Sequence, residues 1–155
     1  MASGLPRVVQ DPADLAARGD CLRGAWYCGT ALGSVGMAVH HKICHVLGGS
    51  FSLPHSATHT VVLPHSLAFN RTAAPEAMRR ISGALGTGEA ATGVYDFIAR
   101  LGAPSALRDL GMRESDLDRA AELATDTPYW NPRAVDRPAL RQLLEDAYCG
   151  RRPPG

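Results

Sequence analysis

The chain has 155 residues, of which 45% are hydrophobic, and its 16 basic and 15 acidic residues give a formal net charge of +1. This length and apolar content suit one globular domain with its own hydrophobic core, without disulfide stapling. The balanced charge, with no long basic run, excludes a nucleic-acid-binding surface.

The cysteine pattern and the hydropathy of the sequence indicate the cellular compartment of the protein. The four cysteines form no CxxC pair and lie in apolar, helix-like surroundings, which is typical of free thiols in a reducing environment. The first residues lack the apolar run of a signal peptide. No window approaches the roughly 18 consecutive apolar residues that a membrane span needs. We therefore expect a soluble, cytoplasmic protein that binds no membrane.

The first third of the sequence predicts two helices. One runs over residues 12–32, after an Asp-Pro pair that is typical of a helix start. The sequence GSVG at 33–36 interrupts it. The second spans 37–47 and is stopped by the glycine pair at 48–49.

Helix signals continue to the end of the chain. Residues 50–58 are predicted to form a loop around Pro54. The next segment, HTVVLPHSLAFN, contains a strand-like Val-Val-Leu run, but Pro64 lacks a backbone N–H and favours a short or kinked helix. Capping residues and apolar spacings of three or four predict further helices over 75–85, 90–101, 105–110, 115–124 and 137–148.

These elements predict an all-α domain over residues 11–150, between a flexible N-terminus at 1–10 and a flexible tail at 151–155. Neither a GxGxxG after a strand nor a GxxxxGK[ST] loop occurs. The glycine-rich pieces at 48–50 and 83–88 lie between predicted helices, with no preceding parallel strand. The sequence therefore predicts no nucleotide-binding domain for NAD or ATP.

All six histidines lie between residues 40 and 65. Histidine carries protons near neutral pH and is the commonest metal ligand. His41 and His45 are four residues apart, so on a helix their rings project from one face. His55, on the loop that folds back at Pro54, can complete a three-sided site. Such pairs also occur as purely structural features, but the clustering makes these three histidines the candidate catalytic residues.

The run GMAVHHKICHVLGGSFSLPHSATHTVVLPHSLAFN, residues 36–70, resembles the signature region of the iron-containing alcohol dehydrogenase family, and most closely its maleylacetate reductase branch. The resemblance extends to WYCGTALGSVG before it and to WNPRAVDRPALRQLLEDAY near the C-terminus. It implies the all-helical C-terminal domain of that family, of the dehydroquinate synthase-like type. Family members also have an N-terminal α/β domain that binds the nicotinamide cofactor, which has no counterpart here.

The resemblance also implies roles for the three histidines. In metal-dependent members, the positions that match His41 and His55 bind the metal, iron or zinc, and the position that matches His45 is linked to proton movement near the nicotinamide. Maleylacetate reductases transfer hydride from NADH or NADPH to maleylacetate, giving 3-oxoadipate. The three histidines would then polarise or protonate the substrate oxygen as the hydride arrives. Two imidazoles alone would hold a divalent metal weakly.

Three hypotheses for the function remain open. The chain is an oxidoreductase of the maleylacetate reductase type that needs a partner to bind NAD(P)H; or it is a repurposed, cofactor-independent acid–base enzyme, such as an isomerase, cyclase or dehydratase acting on a small molecule; or it is a non-catalytic partner subunit. Without a cofactor domain an apolar face would be exposed. We therefore expect a homo-oligomer or a complex with a nucleotide-binding subunit.

Overall fold

The structure is a computed structural model that describes residues 1–154. It is helical, and no β-strand occurs within these residues, so the predicted all-α fold is confirmed. The chain divides into two compact units, Met1–Gly36 and a larger one that begins at Met37. None of the helices described has the length and apolar character needed to cross a bilayer.

The smaller unit is a pair of packed helices, α1 (Gly4–Gln10) and α2 (Leu15–Leu32). Asp14 caps α2 by accepting a hydrogen bond from the Ala17 N–H at 2.9 Å, which moves the helix start three residues beyond the predicted one. Helix α1 lies in the segment for which the sequence predicts a flexible N-terminus. Several large apolar side chains of α2 are exposed, among them Leu22 at 72% of its full accessibility.

The larger unit contains six α-helices. Their bounds are α3 Val39–Phe51, α4 His55–Asn70, α5 Pro75–Leu85, α6 Ala90–Arg100, α7 Leu117–Thr125 and α8 Arg137–Cys149. Two short 3-10 turns, Leu107–Leu110 and Glu114–Asp116, lie between α6 and α7. The first of these turns occupies most of the segment predicted as a helix over 105–110.

Helix α4 lies at the centre of this unit and packs against α3, α6 and α8. The helix is continuous through Pro64, which is buried, so this segment is the helix that the sequence favours over a strand, but it is longer than expected. Fully buried aliphatic side chains, including Leu47 and Leu144, form the core around it. Burying one such side chain stabilises the fold by about 1.5–3 kcal/mol, which outweighs the missing backbone hydrogen bond at Pro64.

The connection between α3 and α4 is shorter than the predicted loop at 50–58. Gly48 and Gly49 do not stop α3, which continues to Phe51. A glycine inside a helix costs only about 1 kcal/mol, and the burial of Leu47 on the same helix offsets that cost. The helix ends instead at Ser52, which adopts a left-handed conformation with φ of 56°.

The C-terminal residues are anchored in the part of the tail that the structure describes. The Arg152 guanidinium forms two hydrogen bonds to the Asp96 carboxylate, at 2.7 and 2.8 Å, and Pro153 is buried. Gly155, the last residue of the predicted flexible tail, lies outside the described residues.

Candidate active site: a histidine cluster between α3 and α4

The turn at residues 52–54 folds α4 back onto α3. The N–H groups of Ser52 and Leu53 both donate to the carbonyl oxygen of Leu47. Pro54 then caps α4, because its carbonyl accepts the N–H and the hydroxyl of Thr58, at 2.9 and 2.8 Å. As a result His55 is the first residue of α4. The sequence-based prediction that His55 lies on a loop is therefore wrong.

Four imidazole rings form a closed circle of neighbours at this junction. The ring centroids are 6.0 Å apart for His41 and His45, and 6.4 Å apart for His45 and His55. His59 closes the circle, at 4.4 Å from His55 and 5.0 Å from His41. The structure thus brings together His41, His45 and His55, with His59 as a fourth member. We call these four residues the histidine ring.

The histidine ring has an open side and a buried side. His45 and His55 are exposed, whereas His41 and His59 are partly buried. Burial, followed by the charges of the neighbouring histidines, lowers the pKa of His59 to about 4. Burial, followed by the charges of His45 and His55, also holds the pKa of His41 below its usual value. At neutral pH both rings are therefore uncharged, and each offers one N–H donor and one nitrogen acceptor.

His40 and Cys44 lie next to the histidine ring and were not part of the predicted site. The ring centroid of His40 is 4.8 Å from that of His59 and 5.4 Å from that of His41. Cys44 is completely buried, and burial raises its pKa to about 12. Their spacing of four residues, the same as in the His41–His45 pair, was the available signal for a second set of groups on one helix face.

His65 does not join the histidine ring. It lies six residues beyond His59, about 9 Å further along α4, and only 4% of its surface is exposed. It lines a cavity of about 500 Å³, together with Phe69, Arg133 and Asp146. Its Nε2 is buried without a hydrogen-bond partner, and burial lowers its pKa to about 4.

The sequence profile described as "Fe-containing alcohol dehydrogenase family, C-terminal" matches residues 1–148. The chain belongs to the iron-containing alcohol dehydrogenase family. Among curated members, it is 51% identical to maleylacetate reductase 1 of Rhodococcus opacus over 99% of this chain, and 55% identical to the maleylacetate reductase of Pseudomonas knackmussii over 96%. It spans 43% and 42% of the length of these two relatives.

Solved structures of family members have the same fold. The maleylacetate reductase from Rhizobium sp. strain MTP-10005 superimposes with a TM-score of 0.94 at 51% identity, and the one from Agrobacterium tumefaciens with 0.95 at 52%. An iron-containing alcohol dehydrogenase from Corynebacterium glutamicum gives 0.92 at 42%. Each comparison covers 98% of this chain and 43% of the solved one. The resemblance inferred from residues 36–70 is confirmed.

The family is described as iron-containing, and an iron ion in a protein needs a set of side-chain ligands. His41 and His55, the predicted metal ligands, supply two imidazole nitrogens of the right type. However, the group of three or more donor side chains that comes close together within residues 1–154 is a different one, His40, Cys44 and His59. Because a metal site in a protein generally has at least three protein ligands, His41 and His55 alone do not complete an iron site, and their role as ligands stays a prediction.

Proposed function

We propose that the chain is the helical part of an oxidoreductase of the maleylacetate reductase type and that its histidine ring assists the reduction. NAD(P)H would be bound by a partner subunit or by a further part of the same polypeptide, because no nucleotide-binding motif is present. The observation that supports this most strongly is the closed circle of His41, His45, His55 and His59, found in a chain about half identical to maleylacetate reductases.

The reaction needs a proton donor that this chain can supply. Reduction of maleylacetate to 3-oxoadipate adds one hydride and one proton across a carbon–carbon double bond that is conjugated with a carbonyl group. Bound NAD(P)H would supply the hydride and would become NAD(P)⁺. As the hydride adds to the far carbon of the double bond, negative charge develops on the carbonyl oxygen, where an imidazole N–H stabilises it by hydrogen bonding. A proton then adds to the carbon next to the carbonyl group, which restores the carbonyl and completes the product.

The exposure of the four rings suggests which role each histidine has in the reaction. His45 and His55 face solvent, so they are the members that a substrate can reach. The uncharged His41 would donate a hydrogen bond without bringing a positive charge that must be desolvated. His59 contacts the rings of both His41 and His55, so it would act as a positioning residue for these two neighbours.

A fusion protein tests this proposal. The nucleotide-binding part of the Rhizobium maleylacetate reductase would be joined to the N-terminus of this chain, and oxidation of NADH or NADPH would be followed with maleylacetate as substrate. We expect turnover by the fusion and none by the chain alone. His45→Ala should lower kcat by about 100-fold or more, whereas Ser50→Ala should leave it unchanged, because Ser50 is exposed on α3 away from the ring contacts.

Two results would contradict the proposal. A folded fusion that binds NADH but does not oxidise it with maleylacetate would show that the helical part lacks this activity. Equal turnover by the His45→Ala and Ser50→Ala fusions would show that reduction proceeds without the histidine ring.

A further inference from the structure

A second group of donor side chains lies behind the histidine ring, between α3 and α4. His40 and Cys44 are one helical turn apart on α3, and His59 faces them from α4. One ligand atom from each of the three residues lies within 4.8 Å of the others. The rings of His40 and His59 meet edge to face. We call His40, Cys44 and His59 the deep triad.

Hydrogen bonding orients one member of the deep triad and leaves lone pairs available. The Nε2 atom of His40 lies 3.1 Å from the backbone carbonyl oxygen of His59. Because a carbonyl oxygen can only accept, Nε2 carries the proton and Nδ1 retains its lone pair. A carbonyl that holds the outer N–H of a histidine is the usual arrangement behind a metal-bound imidazole.

The second histidine has an unsatisfied nitrogen. The Nε2 atom of His59 is buried and has no hydrogen-bond partner in the described structure. Such an atom costs roughly 1–3 kcal/mol in lost hydration, and a bound ion is one recognised explanation for it. The third donor, the Cys44 sulfur, is shielded from solvent, so no water competes with a ligand there.

We propose that the deep triad binds a zinc-type divalent cation. Two imidazoles and one thiolate form a borderline-soft donor set, which favours zinc over the harder ions magnesium and calcium. Three protein ligands with one open position are an established zinc geometry. The donor atoms need to move together by about 1 Å to reach zinc–nitrogen and zinc–sulfur bond lengths, which lies within the reach of side-chain rotation.

The binding step is a simple exchange of bonds. The S–H bond of Cys44 breaks, a sulfur–metal bond forms, and one proton passes to solvent, with no change of oxidation state. In the absence of metal, burial keeps this thiol protonated. The bound cation would brace α3 against α4 and fix the ring of His59.

This site is distinct from the predicted metal ligands His41 and His55, and it does not depend on the proposed reductase activity. Neither of those residues belongs to the deep triad. A loss of maleylacetate reduction therefore leaves the cation site standing, and a loss of cation binding leaves the question of activity open.

Cobalt(II) provides a direct test, because a cobalt–thiolate bond gives a charge-transfer band in the near ultraviolet that imidazole ligands do not give. The untagged, metal-free full chain would be titrated with cobalt(II) and then with zinc(II). We expect the band to saturate at a single ion per chain and to disappear when zinc displaces cobalt. Cys44→Ser should remove the band. It should also weaken zinc binding by more than about 100-fold, because losing a group that only hydrogen-bonds to a metal ligand already weakens binding by about 10- to 100-fold.

Matched variants separate this site from other thiols and histidines. Cys28→Ser, at an exposed cysteine, should keep the band, and so should the double variant His41→Ala/His55→Ala. His40→Ala, at a partly buried position, should weaken cobalt binding without removing the band, which covers the case in which Cys44→Ser does not fold. The proposal is overturned if the wild-type chain shows no band, if the band persists in folded Cys44→Ser, or if it depends on Cys28.

Discussion

Acid should destabilise this protein in part through His65, the buried histidine of α4. Its ring is 4% exposed and its Nε2 has no hydrogen-bond partner, so the folded cavity offers little to stabilise a positive charge. The carboxylate of Asp146 is the neighbour that opposes this effect, since it raises the pKa that burial lowers. The other charged groups that line the same cavity are all cationic: Arg71, Arg133, Arg151 and Arg152.

The magnitude follows from the pKa of His65 in the two states. The ordinary pKa is 6.5 and the folded value is about 4. Between these two pH values the unfolded chain binds more protons, so the free energy of unfolding falls as the pH falls through this range, and His65 contributes its full stability above about pH 6.5. At about 1.4 kcal/mol for each pH unit, the loss attributable to His65 is at most about 3.5 kcal/mol.

Urea denaturation followed by far-ultraviolet circular dichroism would measure this effect at about pH 7 and about pH 4.5. His65→Gln removes the titrating ring, so we expect the variant to lose about 1–3 kcal/mol less than wild type over this interval. Asp146→Asn removes the opposing carboxylate and should enlarge the loss. If His65→Gln and wild type lose the same free energy, the ring accepts a proton inside the folded cavity and the reasoning is refuted.

Two further predictions concern stability. Leu144→Ala, at a fully buried position of α8, should lower the free energy of unfolding by about 3–5 kcal/mol. Leu22→Ala, at a side chain that is 72% exposed, should change the free energy of unfolding by less than about 0.5 kcal/mol. Similar urea midpoints for the two variants would argue against the described core. Both Gly150 and Gly86 have φ of 66°, so the cost of a left-handed alanine is common to the two, but only at Gly150 would a Cβ lie 3.0 Å from that of Ala106. Gly150→Ala should therefore cost at least about 1 kcal/mol more than Gly86→Ala, and equal shifts in Tm would contradict this close approach.

The helical fold could be predicted from local signals, but helix ends could not always be placed. The predicted helix over 75–85 is the observed α5, because an N-terminal proline and a C-terminal glycine act within one turn of the chain. The predicted end of α3 was wrong because Gly48 and Gly49 terminate a helix only when no other interaction stabilises it. Here the burial of Leu47 and the left-handed Ser52 decide where it stops, and both depend on packing against α4.

The candidate site shows the same limit. The spacing of His41 and His45 on one helix face was readable from the sequence. The positions of His55 and His59 were not, because they depend on where α4 begins and how closely it packs on α3. His40 was overlooked although Cys44 lies four residues further along the same helix, because the third partner, His59, becomes apparent only when both helices are in place.

The three-residue connection at 52–54 has a consequence for how this scaffold tolerates insertions and deletions. Two of its N–H groups donate hydrogen bonds to the Leu47 carbonyl, and the Pro54 carbonyl caps the first turn of α4. One added residue must either break those bonds or turn the beginning of α4 by about 100°, which would carry His55 and His59 away from α3 together. Length variation at this turn should therefore abolish the histidine ring and the deep triad in a single step.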